Sequence, residues 1–542
     1  MRFWRAFVCV AALGLIVLAG GCGGDDERDA SGQGSKDALR IAIASEPPSL
    51  DPGLLTDVVS ANVVLNLMDP LVRLNADLEP EAALAESWEI SEDGRTVTFR
   101  LREDGRWTNG DPVTAADFEY AWKRILDPEL AAGYAYQLYG IVGASDYNSC
   151  EKSCEALRDK VGVKALDERT FEVHLTSPQP WFIAQSAHTS FLPVHRATVE
   201  RFDRKWTEPA NIVTNGPFQL SGWKHDESIT LTRWAQWRNA GAVKVERIAG
   251  RIIKDSQTAL AAFEAGEIDA CLENACIPSG DIERLQEGDA YVQSPGLATQ
   301  YFGFNLKTVP DVNQRRALAF ALDRASLIEN VTKAGEEPAT SFTPKGMPGF
   351  DVIAQDFLPE TADLEAARKY LDQASSPKRK LNFVYVSEDP VGEEIAVAVQ
   401  AMWKEIGIQT SLRGMDFQAF LETLGPPVHS SIDVFAIGWV GDYVDDINFL
   451  ELWTCKSGNN PTGYCDPEYD RLIDRARSTP DDTERHKIYA QAEAKLTGPE
   501  GALPIIPSHW ATFPTMRKPG IEGWQPNLLG QYDFTKVTIA EE

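Results

Sequence analysis

The stretch Ile432–Asp446, IDVFAIGWVGDYVDD, constrains this chain more than any other. Val434 to Val440 is an apolar run of single-strand length, with neither helical nor alternating period. It predicts a strand buried on both faces. Upstream, Pro390–Ile406 predicts a helix, with Ile395, Val399 and Met402 at helical spacing and Gly407 as its stop. Ile408–Leu412 alternates as a strand should, and Phe417–Leu424 predicts a second helix. Helix, strand, helix, strand is an α/β repeat around a parallel sheet. The Ile432 strand leaves the sheet through Gly438 and Gly441, so Asp442 is the first carboxylate outside it. Ligands of open α/β sheets sit beyond the carboxyl ends of strands. A carboxylate there, between Trp439 and Tyr443, suits a cationic ligand group. The residues leave another reading of Asp442 open, that it caps the next helix, Ile447–Leu452. Asp445 and Asp446 are read as caps of that helix.

A chain of 542 residues is too long for one core and predicts two or three domains. Its 52 Lys and Arg stand against 81 Asp and Glu, a net charge of −29. That balance argues against nucleic acid and against a basic face on anionic lipid. It does not identify a substrate. The amino terminus has Arg2 and Arg5, then an apolar core from Phe7 to Ala19 that is too short to span a bilayer. It ends in Leu18-Ala19-Gly20-Gly21-Cys22, which resembles a bacterial lipoprotein signal over residues 1–21 with Cys22 lipidated. The alternative is ordinary secretion. Residues 22–38 read as a flexible tether.

Apart from Cys9 and Cys22, six cysteines remain, in three tight pairs: Cys150/Cys154, Cys271/Cys276 and Cys455/Cys465. With no CxxC and no neighbouring histidine, local disulfides are expected rather than a metal cluster. Leu39–Ala44 starts the body as a strand, Ala61–Met68 reads as a helix and Leu71–Leu74 as a strand. A hairpin turns at Glu92-Asp93-Gly94 into the alternating Thr96–Leu101. Thr114–Asp117 has the form of a capping box opening the helix Ala115–Leu126, whose Phe118, Ala121, Trp122 and Ile125 share a face. Thr170–Leu175 alternates as an edge strand, and Leu364, Ala367 and Leu371 repeat at helical spacing.

SEPPSLDP, LAESWEISEDGRTVTFRLREDGRWTNGDPVTAADFEYAWKRILDP and KWTEPANIVTNGPFQL together resemble bacterial extracellular solute-binding proteins of family 5. This is the oligopeptide-binding group that serves ABC importers. The likeness runs on through Phe263–Asp269, Tyr301–Asn305, Arg315–Asp323 and Gly438-Trp439…Asp442-Tyr443, from Leu39 to the end. It implies an α/β fold of two lobes, as in periplasmic binding proteins, with an extra inserted domain. Lobe I would comprise residues 39–58, 182–300 and 508–542, the inserted domain 59–181, and lobe II 301–507, with two hinge strands between the lobes. It also implies a ligand cleft with Glu46, Tyr134, Tyr301, Phe417, Gly438, Trp439 and Asp442 in its wall. Peptide would be captured by strand addition, and Asp442 would receive the α-ammonium. Some relatives place an arginine before the Gly-Trp pair and a histidine near the start of the Pro390 helix to take the peptide carboxylate. Here those stretches read Phe435-Ala436-Ile437 and Asp389-Pro390-Val391, with no base.

Catalytic patterns are missing. The seven histidines include no HExxH, and there is no GxSxG, Walker A or GxGxxG sequence. His188 and His195, which flank Phe191-Leu192-Pro193, read as core or surface residues rather than metal ligands. The expectation is a non-enzymatic, monomeric, lipid-anchored receptor on the outer face of the membrane or in the periplasm. It would need no cofactor or metal and would deliver peptides to ABC permease and ATPase subunits. The rivals are the same fold with a nickel chelate, an opine or a sugar, a signalling peptide receptor, and, disfavoured, a secreted hydrolase.

Overall fold

The computed structural model describes residues 38–75, 77–389, 391–425 and 429–540. The apolar leader, Cys22 and the tether through residue 37 lie outside the described residues, as does Pro390. Among the described residues no helix is long and apolar enough to cross a membrane.

Three larger sheets carry the fold. The first runs Ala270–Cys271, Ala38–Ile43, Arg247–Ile252, Ser228–Arg233, Phe218–Lys224. Ala38–Ile43 pairs in parallel with both neighbours, and the other pairs are antiparallel. Leu39, Ile41 and Ile43 face one apolar cluster, while Ala42 is buried by another on the opposite face.

The second sheet is antiparallel, in the order Ala85–Ile90, Thr96–Leu101, Thr170–His174, Val163–Ala165. The expected hairpin is present, with Gly94 at φ +69° in its turn, a conformation that costs glycine little. Thr170–His174 is an interior strand and not the expected edge. Its alternation reports one buried face, with Phe171 and Val173 inside and His174 exposed, and one-sided burial does not distinguish edge from centre. The helix Ala115–Ile125 covers that face, opened by the Thr114–Asp117 capping box. Its Trp122 meets Phe171 and Phe191 edge-on, each at 4.9 Å, and donates its Nε1 hydrogen to the Phe191 carbonyl. Burying such a ring with its N–H satisfied contributes about 3 kcal/mol. One continuous core runs through both of these sheets.

The third sheet has the order Glu337–Pro338, Ile505–Met516, Tyr291–Phe304, Val434–Val440, Lys380–Val386, Gln409–Met415. The helices Gly392–Lys404 and Phe417–Leu424 connect its parallel strands, and Gly407 follows the first of them at φ +77°. The sheet as a whole is mixed and not parallel. Two long strands from elsewhere in the chain add to the α/β unit antiparallel, a pairing that no local periodicity encodes. Gly438 pairs with Gln300 inside the sheet, so the strand runs on past it to Val440. The expected Ile447–Leu452 helix is an α-turn, Ile447–Leu450, followed by a 3₁₀ turn, Glu451–Trp453. Tyr291–Phe304 and Ile505–Met516 pair from Tyr291 opposite Met516 to Gly303 opposite Ile505, with register breaks between Pro295 and Thr299 and at Gln300/Tyr301. A bridge from Ala270 to Arg517 ties their outer end to the first sheet. Disulfides join Cys150 to Cys154, Cys271 to Cys276 and Cys455 to Cys465.

Candidate functional site

Val434–Val440 is flanked on both sides only at its start. Phe383 and Val384 pair with Val434 and Phe435, and no strand follows them along that edge. From Ala436 to Val440 the strand pairs with Gln300 and its neighbours on one side alone. This is why Ala436 to Gly438 are only half-buried, contrary to a strand covered on both faces. The open side faces a cavity of about 380 Å³, within the usual range for small-ligand sites. Its wall combines loop residues that follow first-sheet strands, such as Ala44 and Glu273, and residues of the third sheet with Tyr134 and His188.

Asp442 follows the strand and lines this cavity. Its Oδ1 accepts from the Tyr134 hydroxyl at 3.2 Å and lies 3.1 Å from His188 Nε2. Its Oδ2 accepts from Gln137 Nε2 at 2.7 Å and Asn448 Nδ2 at 2.9 Å. The donors are themselves oriented. Gln137 Oε1 accepts from Gln185 Nε2, so the Gln137 amide nitrogen faces the carboxylate. His188 Nδ1 accepts the Ser190 N–H, which leaves the proton on Nε2, toward Asp442. Burial, and then the Asp442 charge, push the Tyr134 hydroxyl well above its ordinary value, so it remains a donor. Asn448 closes the loop, its side-chain Oδ1 accepting the Asp442 backbone N–H at 2.9 Å. Among the described residues no Lys or Arg lies within 4.0 Å of Asp442. The carboxylate is hydrogen-bonded on both oxygens, with a histidine and no Lys or Arg beside it among the described residues.

The other cleft residues expected from sequence fall in three groups. Gly438, Trp439, Phe417 and Tyr134 line the cavity with Asp442, and Tyr134 lies 5.9 Å from Trp439 between ring centroids. Tyr301 also reaches the wall, but its ring packs edge-on against Phe342 and Trp453, so it belongs largely to the core. Glu46 does not line the cavity. Its carboxylate accepts from His225 Nδ1 at 2.8 Å and from the Asp226 N–H at 3.1 Å, holding a surface turn. Tyr443 points away from the cavity and donates to Glu451. Asp445 accepts the Ile447 N–H, as a cap does, and pairs with Arg485. Asp446 does not cap with its side chain, which accepts the Gly349 N–H instead.

Gln137 and Asn448 escaped the sequence reading, which takes His188 only as a core or surface residue. Gln137 and Asn448 are buried polar residues in apolar contexts, such as INFL for Asn448. That was the available signal, because a buried polar group needs a partner. Among the described residues no Lys or Arg lines the cavity wall to replace the missing carboxylate anchor. Its second histidine, His509, is pushed down to about 4 by burial and is neutral near pH 7.

The family model described as "Bacterial extracellular solute-binding proteins, family 5 Middle" matches residues 79–461. The oligopeptide-binding protein OppA of Bacillus subtilis is 34% identical over 543 residues, covering 96% of each chain. OppA of Haemophilus influenzae, solved in complex with RPPGFSPFR, superposes with a TM-score of 0.86 at 28% identity, over 94% of this chain and 100% of that one. The murein tripeptide binding protein MppA of Escherichia coli, also at 28% identity, superposes at 0.85, over 94% of this chain and 99% of that one. MppA in its unliganded open form superposes at only 0.62, over 94% and 98%. The lobes here therefore stand in an arrangement unlike that open form. The fold is the two-lobed one of periplasmic binding proteins, and the chain belongs to the bacterial extracellular solute-binding proteins of family 5.

Proposed function

We propose that this chain captures peptides outside the cytoplasmic membrane and delivers them to the permease of an ABC importer. The observation that carries this reading is the open edge Ala436–Val440 beside the Asp442 carboxylate, which has no Lys or Arg partner among the described residues. A peptide adding to that edge completes the backbone hydrogen bonds of a strand and places its α-ammonium on Asp442. Relatives named for oligopeptides, and a neighbour solved with a nonapeptide, support it. A hydrolase reading finds a serine–histidine contact in the cavity wall, Ser508 Oγ at 3.0 Å from His509 Nδ1. A histidine held near 4 is too weak a base to activate a hydroxyl at neutral pH.

Lobe I as 39–58, 182–300 and 508–542, an inserted domain 59–181 and lobe II 301–507 accord with the sheets. Tyr291–Phe304 and Ile505–Met516 serve as the hinge. Cys22 carries the lipid anchor. Mass spectrometry of material co-purified with the protein from its native host tests the cargo, with peptides the expected result. Recovery of a single non-peptide solute would overturn the reading. Cys22→Ala is expected to release the protein from the membrane fraction, and its retention there would place the anchor elsewhere.

A further inference from the structure

Among the described residues the cavity wall carries five carboxylates, Asp57, Glu273, Glu388, Asp389 and Asp442, and no Lys or Arg. Four have partners. Asp442 has its ring of donors, Asp389 accepts the Val391 N–H at 3.1 Å, and Glu388 lies 3.8 Å from Lys254 Nζ. Asp57 caps the helix Val58–Leu67 through the Ser60 N–H at 2.8 Å. Glu273 differs, because its Oε1 is buried with no hydrogen-bond partner among the described residues.

The backbone shows that this placement is held. Glu273 sits in the loop closed by Cys271–Cys276 and adopts φ +53°, the left-handed region that residues with a Cβ rarely enter. Such a conformation persists only where its surroundings over-determine it. Here the disulfide closes the loop, and the Glu273 N–H donates to the Tyr532 hydroxyl at 3.2 Å. The loop thus holds at the cavity wall a carboxylate with one oxygen unpartnered, and Asp57 and Asn62 line the same cavity.

We propose that Asp57 and Glu273 form a second cation subsite, and that the preferred cargo is a peptide bearing a Lys or Arg side chain in addition to its α-ammonium. This rests on the peptide reading above and narrows it. Burial pushes Glu273 up to about 7, with Asp57 adding to the effect, and pushes Asp57 up to about 6. A cationic side chain supplies the countercharge that neither has. The same census of charge makes an acidic side chain in this cavity unfavourable, since nothing there would neutralise it.

Calorimetric titration with all-alanine pentapeptides, in which one residue in turn is replaced by Lys, Gln or Glu, tests the subsite. At one position Lys is expected to bind at least about tenfold more tightly than Gln, and Glu more weakly than Gln. Glu273→Gln is expected to bring the Lys-to-Gln ratio at that position close to one. If that variant does not fold, the wild-type comparison decides alone. Binding of the Gln series with no Lys preference at any position overturns the subsite and leaves the peptide reading standing. Folded wild-type protein that binds none of the peptides overturns both.

Discussion

Asp442 is buried and held by four hydrogen-bond donors, none of them Lys or Arg, and the proposed function gives it a ligand's ammonium as partner. Removing one member of such a desolvated pair costs about 2–5 kcal/mol, or roughly 30-fold to several-thousand-fold in affinity. Asp442→Asn is the cleaner probe, because alanine also orphans the Gln137 and Asn448 amides and lowers stability. Asp442→Asn is expected to weaken binding of a free peptide by at least about 30-fold. An N-acetylated copy is expected to bind the wild type comparably poorly. Equal affinities in all four titrations would remove Asp442 from the site. Glu273 allows a pH test. Its ordinary value of 4.5 is raised to about 7 by burial, with Asp57 beside it and Asn62 and Tyr532 nearby. Between those values the folded chain holds a proton that the unfolded chain releases. The linked stability is complete below about 4.5 and is lost as pH rises through about 7. Thermal melts of unliganded protein from pH 5 to pH 8 are expected to show a shallower decline in Glu273→Gln than in the wild type. Parallel declines would mean that Glu273 titrates normally.

At the scale of elements, the Val434–Val440 strand does two jobs with its two edges. One edge is paired along its length with Tyr291–Phe304, and the other is open from Ala436 onward. The paired side depends on Gly303, across which the Phe435 ring lies. A Cβ at Gly303 would fall 2.0 Å from that ring, far inside contact distance. Phe435 is fully buried and has no free direction in which to move. Gly303→Ala is therefore expected to destabilise the protein by about 1–3 kcal/mol through overpacking. Chemical denaturation measures this, and a midpoint unchanged from wild type would show that the ring can repack.

For the whole molecule, the outcome turns on closure. Lys254 stands at the end of the first sheet, with Nζ 2.9 Å from Asp416 and 3.8 Å from Glu388 on the third-sheet side, and 3.2 Å from Asp226. Ser279 donates to Glu394 across the same divide. Apart from the buried Glu388, the partners in these contacts are at least partly exposed, in keeping with a closed form that ligand rather than surface charge must stabilise. Small-angle scattering is expected to show a smaller radius of gyration at saturating peptide than without it. An unchanged radius would mean that the lobes do not move on binding.

Much of this was legible along the chain. The Val434–Val440 strand, the Phe417–Leu424 helix, the Thr114–Asp117 capping box and the three cysteine pairs each depend on residues within a few positions of one another. Periodicity and short-range chemistry determine such features. Asp442 could be singled out for the same reason, as the first carboxylate past an apolar strand. Its surroundings could not. Tyr134, Gln137 and His188 lie some 250 to 310 positions away in sequence, and the Asp442 hydrogen bonds exist only once the sheets have packed. Tertiary structure likewise turned Glu46 away from the cavity, made Thr170–His174 an interior strand and added two antiparallel strands to a parallel unit. The sequence by itself determined which segments become strands and helices and which carboxylate ends the central strand. Only tertiary packing decided which carboxylates are left without a countercharge, because countercharge is supplied by neighbours in space.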